Sequence, residues 1–230
     1  MVCKLFIFRH AETLDNSHGV FSGWRDSNLT PKGVGQAQEI AKQLNPYPID
    51  YAFTSHLMRA RKTLEIVLEG RASTSVFVDD RLIERCYGLF QGKDKWQMER
   101  DDPEWYAKIH RGYSFVPPGG ESLEMVERRV TSFLEQLREW LKVNPGNVAI
   151  SCHNNSIRPL RRVFDNLSVA QMCSLESSQD CALVYEVEGG DFAVRGMGEA
   201  VGKPSWKGVL VPEAVELAWD VLNPLRVYYK

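Results

Sequence analysis

Short apolar runs alternate with amphipathic segments along the first 190 residues of the chain. Four runs predict β-strands, the first of them buried, because they are short and are bounded by polar or turn residues; they cover residues 5–8, 50–54, 75–78 and 147–152. Three longer segments predict helices, at residues 31–44, 57–68 and from 123 to 141. This alternation predicts an α/β fold, a three-layer sandwich with a mostly parallel central sheet and helices on both faces.

The C-terminal part of the chain has a weaker pattern. Residues 182–185 and 192–194 flank Gly189 and Gly190, which predicts a hairpin. Four residues that disfavour regular structure predict a loop; they are Gly196, Gly198, Gly202 and Pro204. A short helix is predicted over 212–222. We expect a single domain over 1–230, in which 196–230 form a tail that packs either on the body or on a second copy.

Histidines and arginines follow three of the four predicted strands. Arg9 and His10 end the first, Arg59 follows the second at the start of a helix, and His153 and Arg158 follow the last. A guanidinium can hold a phosphate through two parallel hydrogen bonds, and an imidazole can act as a nucleophile. A single histidine after a strand is more often a hydrogen-bonded structural residue. Repetition at strand ends, where open α/β sheets bind ligands, predicts one shared anion site.

Four segments resemble signature motifs of a known family. They are Arg9-His10-Ala11-Glu12, Ser55-His56-Leu57-Met58-Arg59-Ala60-Arg61-Lys62-Thr63, Leu82-Ile83-Glu84-Arg85-Cys86-Tyr87-Gly88 and His153-Asn154-Asn155-Ser156-Ile157-Arg158. In that order they are similar to RHGE, SxLxRAxxT, LNERHYG and HGNSLR. The chain therefore resembles the histidine phosphatase superfamily, and more narrowly its phosphoglycerate mutase branch, whose fold is a three-layer sandwich.

The resemblance implies a role for each of five residues. His10 would be the nucleophile that becomes a phosphohistidine, while Arg9, Arg59 and His153 would bind the transferred phosphoryl group. Glu84 would exchange protons with the leaving or incoming oxygen. Because charge in the transition state lies on the equatorial phosphoryl oxygens, cationic donors around them supply most of the catalysis.

Further positions are implied to bind the substrate. They are Asn16, Ser22, Gly23, Tyr87, Lys95, Arg111 and Asn155. Lys95 and Arg111 would hold a second anionic group, although most surface lysines and arginines are simply solvated. The resemblance implies no metal, and His10-Ala11-Glu12 lacks the P-C-x-x-C partner of zinc deaminases.

Two activities follow from the resemblance. The first is interconversion of 3-phosphoglycerate and 2-phosphoglycerate, primed by 2,3-bisphosphoglycerate as cofactor. The alternative is metal-independent hydrolysis of small phosphomonoesters, which the short segment between Tyr113 and Glu121 favours because a short lid admits water. A phospho-ligand binder without activity is disfavoured, since it would not require Glu84.

Composition limits the partners. The formal charge of −2 carries no basic bias for nucleic acid, so the anion site must be local. No apolar run approaches the roughly twenty residues needed to span a membrane. We expect a cytoplasmic enzyme that binds a small phosphorylated metabolite, no nucleic acid and no membrane, and we leave a homo-oligomer open.

Overall fold

The structure, a computed structural model, describes residues 2–188, 193–194, 198–200 and 203–206. Its strands are β1 (Val2–Arg9), β2 (Tyr51–Thr54), β3 (Ser75–Val78), β4 (Val148–Cys152), β5 (Ala182–Glu188), β6 (Ala193–Val194), β7 (Gly198–Ala200) and β8 (Lys203–Trp206). Its α-helices are α1 (Leu14–Ser17), α2 (Pro31–Leu44), α3 (Met58–Val67), α4 (Lys95–Asp101), α5 (Pro103–Arg111), α6 (Leu123–Val143), α7 (Asn154–Phe164) and α8 (Val169–Ser174). The four predicted strands and the helices predicted at 31–44, 57–68 and 123–141 are confirmed.

The central sheet has the strand order β3-β2-β4-β1-β5, continued by β7 and β8. β3, β2, β4 and β1 are mutually parallel, and β5 runs antiparallel to β1. The carboxyl ends of the parallel strands therefore meet along one edge, where ligands bind in open α/β sheets.

Helices cover both faces of this sheet. Alternate residues of β1 point to opposite faces: Leu5 and Ile7 lie in a core with α6 and α7, whereas Phe6 and Phe8 lie in a second core with α2 and α3. All four side chains are at most 1% exposed. The predicted three-layer α/β sandwich is thus confirmed, and β1 is buried on both sides at its centre.

The predicted loop is wrong at Gly198 and Pro204, which lie in β7 and β8, whereas Gly196 and Gly202 lie outside the described residues. β7 pairs antiparallel with β5, and β8 pairs with β7, so this glycine-containing segment extends the sheet. The predicted hairpin is confirmed by the antiparallel pairing of Val187 with Val194. Glycine and proline disfavour regular structure locally, but the pairing of β7 with β5 and with β8 overrides that preference. The helix predicted over 212–222 lies outside the described residues.

None of the helices in the described part of the chain combines the length and the apolar character that crossing a membrane requires.

Candidate active site

The site forms where β1 and β4 end side by side. Arg9 pairs in register with Cys152, and the backbone N–H of His10 donates to the Cys152 carbonyl at 2.9 Å. His153, the next residue, is the N-cap of α7. Two histidines distant in sequence therefore emerge from neighbouring strands, with ring centroids 5.2 Å apart.

The protonation of His10 is defined by its contacts. Its Nδ1 lies 2.8 Å from the Ala11 carbonyl oxygen, which can only accept, so Nδ1 carries the proton. The lone pair is left on Nε2, to which Arg59 Nε donates at 3.2 Å. Burial, together with the charges of Arg59 and Arg9, lowers the pKa of His10 well below its ordinary value. The ring is therefore neutral at neutral pH, as a nitrogen nucleophile requires.

Arg59 is oriented by backbone carbonyls of the loop that follows α1. Its terminal nitrogens donate to the carbonyls of Arg25 and Gly23, each at 2.7 Å. Gly23 has a φ of +53°, a backbone conformation that glycine adopts without strain. Burial lowers the pKa of Arg59 to about 10, so the guanidinium stays charged at neutral pH.

His153 is fully buried next to His10. Its Nε2 lies 2.8 Å from the hydroxyl of Ser55. Its Nδ1 has no hydrogen-bond partner among the described residues. Burial, Arg59 and His10 lower its pKa well below the ordinary value. If Nε2 accepts the Ser55 proton, Nδ1 carries the remaining proton.

Arg9 and Glu84 complete the predicted catalytic set. Arg9 donates to the Ser177 carbonyl at 3.3 Å, and its Nε has no hydrogen-bond partner in the described residues. One carboxylate oxygen of Glu84 accepts from the Arg85 backbone at 2.7 Å. The Glu84 carbonyl accepts from the indole N–H of Trp24 at 2.6 Å, which fixes the backbone of the carboxylate-bearing residue.

A cavity of about 160 Å³ brings ten of the twelve predicted residues together. They are Arg9, His10, Asn16, Ser22, Gly23, Arg59, Glu84, Tyr87, Lys95 and Asn155. The volume suits a small metabolite. Free donors and positive charges next to a neutral imidazole can bind a tetrahedral anion and present a nucleophile to it.

The polar side chains on the cavity wall are held by one another. Asn155 donates to the hydroxyl of Tyr87 at 3.1 Å, and the amide of Gln179 donates to Asn16 at 2.9 Å. Lys95 Nζ lies 5.1 Å from the centroid of the Phe21 ring. Burial, followed by the charge of Arg9, lowers the pKa of Lys95, which marks it as a desolvated cation.

Two predicted residues do not line this cavity. His153 is fully buried, with its ring centroid 5.2 Å from that of His10. Arg111, at the end of α5, pairs with Glu176 and donates to the carbonyls of Cys173 and Leu175, each at 3.2 Å. The structure therefore does not present Arg111 as a free ligand for a second anionic group, because a carboxylate already occupies its guanidinium.

Four lining residues were not among the predicted catalytic or substrate-binding residues, although the sequence analysis placed one of them, Arg158, near the shared anion site. They are His110, Asn154, Arg158 and Glu176. Asn154 and Arg158 lie in the motif that contains His153, four residues apart on α7, so helical periodicity could have found them. Glu176 lies in an irregular segment after α8 and has no local signal. Burial, and then the charge of Arg111, lowers the pKa of His110 to about 3.

Metal ligands are not grouped in the described part of the chain: no cluster of three or more His, Cys, Asp or Glu side chains that could hold an ion occurs there.

The fold and the paired histidines at its strand ends define a class of enzyme. Residues 5–200 match the histidine phosphatase superfamily (branch 1), and the chain belongs to that superfamily. Similar proteins in this superfamily include mutases and phosphatases, and the protein is an enzyme of this group.

The relatives include both kinds of activity. A 2,3-bisphosphoglycerate-dependent phosphoglycerate mutase of Parvibaculum lavamentivorans is 34% identical over 196 residues, which are 83% of this chain and 93% of that protein. The 2,3-bisphosphoglycerate-dependent phosphoglycerate mutase 1 of Arabidopsis thaliana is 33% identical over 84% of this chain, which spans 66% of the plant protein. The structure of a mycobacterial glucosyl-3-phosphoglycerate phosphatase is 25% identical, with a TM-score of 0.69, over 84% of this chain and 95% of that chain.

Proposed function

We propose that the protein transfers the phosphoryl group of a small phosphomonoester to His10 Nε2 and then to water, acting as a phosphatase. The observation that carries the phosphohistidine step is the state of His10: a buried neutral ring whose Nδ1 proton is held by the Ala11 carbonyl and whose Nε2 lone pair faces Arg59. Arg59 keeps its position beside Nε2 during the reaction because its two terminal nitrogens are held by backbone carbonyls.

The chemical steps use groups that line the same cavity. The Nε2 lone pair forms a bond to phosphorus while the ester P–O bond breaks, and a protonated Glu84 gives its proton to the leaving oxygen. The Glu84 carboxylate then takes a proton from water as the water oxygen attacks phosphorus. The N–P bond breaks, its electron pair returns to Nε2, and phosphate leaves. Arg9 and Arg59 offset the charge on the phosphoryl oxygens in both steps.

Water is favoured as the acceptor by the charges around the cavity. A mutase retains an intermediate with a second anionic group and therefore needs cations beyond the reacting phosphate. Lys95 is one such cation, and Arg158 also lines the cavity but lies 3.6 Å from the Glu176 carboxylate. Arg111 is engaged by Glu176, His110 is uncharged at neutral pH, and the Glu176 carboxylate itself lines the cavity. These features support release of a singly phosphorylated substrate more than retention of a bisphosphorylated one.

A phosphoglycerate mutase is the second candidate, and the curated relatives favour it. The two mutases described above match most of this chain at 33–34% identity. Lys95 and Tyr87 line the cavity at positions that resemble the mutase pattern. In this case 2,3-bisphosphoglycerate would prime the enzyme by phosphorylating His10.

Product analysis separates the two candidates. The purified protein is incubated with 3-phosphoglycerate, with and without catalytic 2,3-bisphosphoglycerate, and separately with a panel of phosphomonoesters. 2-Phosphoglycerate and inorganic phosphate are followed in the same samples. A phosphatase releases phosphate from one or more monoesters without isomerisation. Rapid primed formation of 2-phosphoglycerate with little phosphate would identify a mutase and overturn hydrolysis as the main activity.

His10→Ala tests the step that both candidates share. We expect this variant to form no acid-labile phosphoenzyme from ³²P-labelled substrate and to lose turnover, because no other side chain replaces the Nε2 lone pair. His18→Ala is the matched control, since His18 is an exposed residue outside the cavity lining. Full activity of His10→Ala would exclude the phosphohistidine mechanism.

A further inference from the structure

Glu176 places a carboxylate, paired with Arg111, on the wall of the cavity that contains His10. One of its carboxylate oxygens accepts from Arg111 and lies 3.6 Å from Arg158 Nη2, and the other accepts from Asn154 at 2.9 Å. The donors come from the end of α5 and from α7, so the carboxylate is held from two sides. The side chain is nevertheless 55% exposed and lines the cavity.

The backbone around Glu176 is held by the same side chains. Arg111 donates to the carbonyls of Cys173 and Leu175, and Arg158 Nε donates to the Leu175 carbonyl at 3.0 Å. The carbonyl of the next residue, Ser177, accepts from Arg9. The carboxylate is therefore part of a preorganised wall that adjoins a phosphate-binding arginine, which distinguishes it from a freely rotating surface group.

The ion pair between Arg111 and Glu176 changes which groups on the non-reacting end of a substrate the cavity can bind. Both terminal nitrogens of Arg111 are already engaged, by Glu176 and by the carbonyls of Cys173 and Leu175, so Arg111 is not preorganised for a substrate carboxylate. An ionised carboxylate only accepts hydrogen bonds, so Glu176 pairs with hydroxyl or other donor groups and repels a second anion. His110 is uncharged at neutral pH and adds no positive charge to this wall.

We propose that Glu176 determines specificity by selecting hydroxylated phosphomonoesters that carry no second negative charge. The inference rests on the proposed phosphatase function and names its substrate class. Glu176 accepts hydrogen bonds from substrate hydroxyl groups and excludes phosphorylated acids, while Arg111 and Asn154 hold its carboxylate in position.

A matched pair of substrates tests this inference. Glycerol 3-phosphate carries a hydroxymethyl group at the position where 3-phosphoglycerate carries a carboxylate. We expect wild-type kcat/KM to favour glycerol 3-phosphate by at least about tenfold, with consumption of 3-phosphoglycerate counted whether it is hydrolysed or isomerised. Glu176→Gln retains the size of the side chain but removes its charge, and should reduce this preference at least about tenfold by improving 3-phosphoglycerate.

Two controls make the outcomes distinct. Glu139→Gln removes an exposed carboxylate that lies outside the cavity lining, and should leave the preference at its wild-type value. p-Nitrophenyl phosphate reports phosphatase activity without a second anionic group. If the protein turns over this probe, two results would each overturn the inference but not the proposed function. One is that Glu176→Gln has the same preference for glycerol 3-phosphate as wild type. The other is that wild type prefers 3-phosphoglycerate. No turnover of any of the three esters in wild type would overturn the proposed function and the inference together.

Discussion

At the scale of single residues, the site depends on how many contacts each buried cation makes. Arg59 is 1% exposed. Each of the three nitrogens of its guanidinium makes a contact: one donates to His10 and two donate to loop carbonyls. An ammonium group has neither the planar fork nor the reach to replace all three contacts. The geometry therefore requires arginine at this position and does not merely require a positive charge.

Arg59→Lys should accordingly lower kcat by about 10²–10³-fold, the effect of removing a preorganised donor to the transition state. It should also reduce the free energy of unfolding by about 1–3 kcal/mol, because buried carbonyls lose their partners. Arg61→Lys, at an exposed position of the same helix, is the matched control. Steady-state kinetics and urea unfolding measure both effects, and a fully active Arg59→Lys would contradict the role assigned to the fork.

At the scale of elements, α2 meets the loop after β1 through a glycine. A Cβ atom at Gly33 would lie 2.1 Å from the Glu12 carbonyl oxygen, two residues after His10, whereas a Cβ atom at Gly35 would meet nothing within 4 Å. Both glycines lie in the same helix, where alanine has the higher intrinsic propensity. Close approach of two backbones explains the need for glycine at only one of them.

The same substitution should therefore have opposite effects at these two positions. Gly33→Ala should destabilise the protein by about 1–3 kcal/mol through overpacking, and should also lower kcat because the displaced Glu12 backbone is linked to His10. Gly35→Ala should stabilise it by about 0.5–1 kcal/mol. Chemical unfolding and turnover of both variants check this, and equal effects at the two sites would contradict the packing described here.

At the scale of the whole molecule, buried neutral histidines link stability to pH. In the folded state burial lowers the pKa of His10, His153 and His110, the last to about 3. In the unfolded chain the pKa of a histidine is about 6.5. As the pH falls below that value, these histidines bind protons in the unfolded state but not in the folded state, so the free energy of unfolding decreases. The stabilising effect of their neutral forms is fully present above about 6.5.

His110→Gln isolates one of these groups. Between pH 6 and pH 4 we expect the free energy of unfolding of this variant to fall less steeply than that of wild type, by up to about 1.4 kcal/mol per pH unit. His18→Gln, at an exposed position, serves as the control and keeps the wild-type slope. Urea unfolding at several pH values gives the slopes, and identical slopes for His110→Gln and wild type would contradict burial of a neutral His110 ring.

Local patterns by themselves determined the order of strands and helices and much of the candidate site. β1 could be predicted because an apolar run buried on both faces differs from its surroundings. Arg9, His10 and His153 were identified because each follows a strand directly, and a strand end has a defined place in an α/β sheet. The start of α2 was predicted at residue 31, and in the structure the Thr30 hydroxyl caps the helix there by accepting from the Gly33 backbone at 3.0 Å.

Only the tertiary structure decided the contacts that depend on distant partners. Arg111 and Glu176 are separated by 65 positions, and no local pattern indicates that one neutralises the other. The neutral state of His10 depends on burial by surrounding elements, and β7 forms only because β5 offers it an edge. Motifs report local backbone geometry, whereas charge pairing, desolvation and strand pairing are properties of segments that the folded chain brings together.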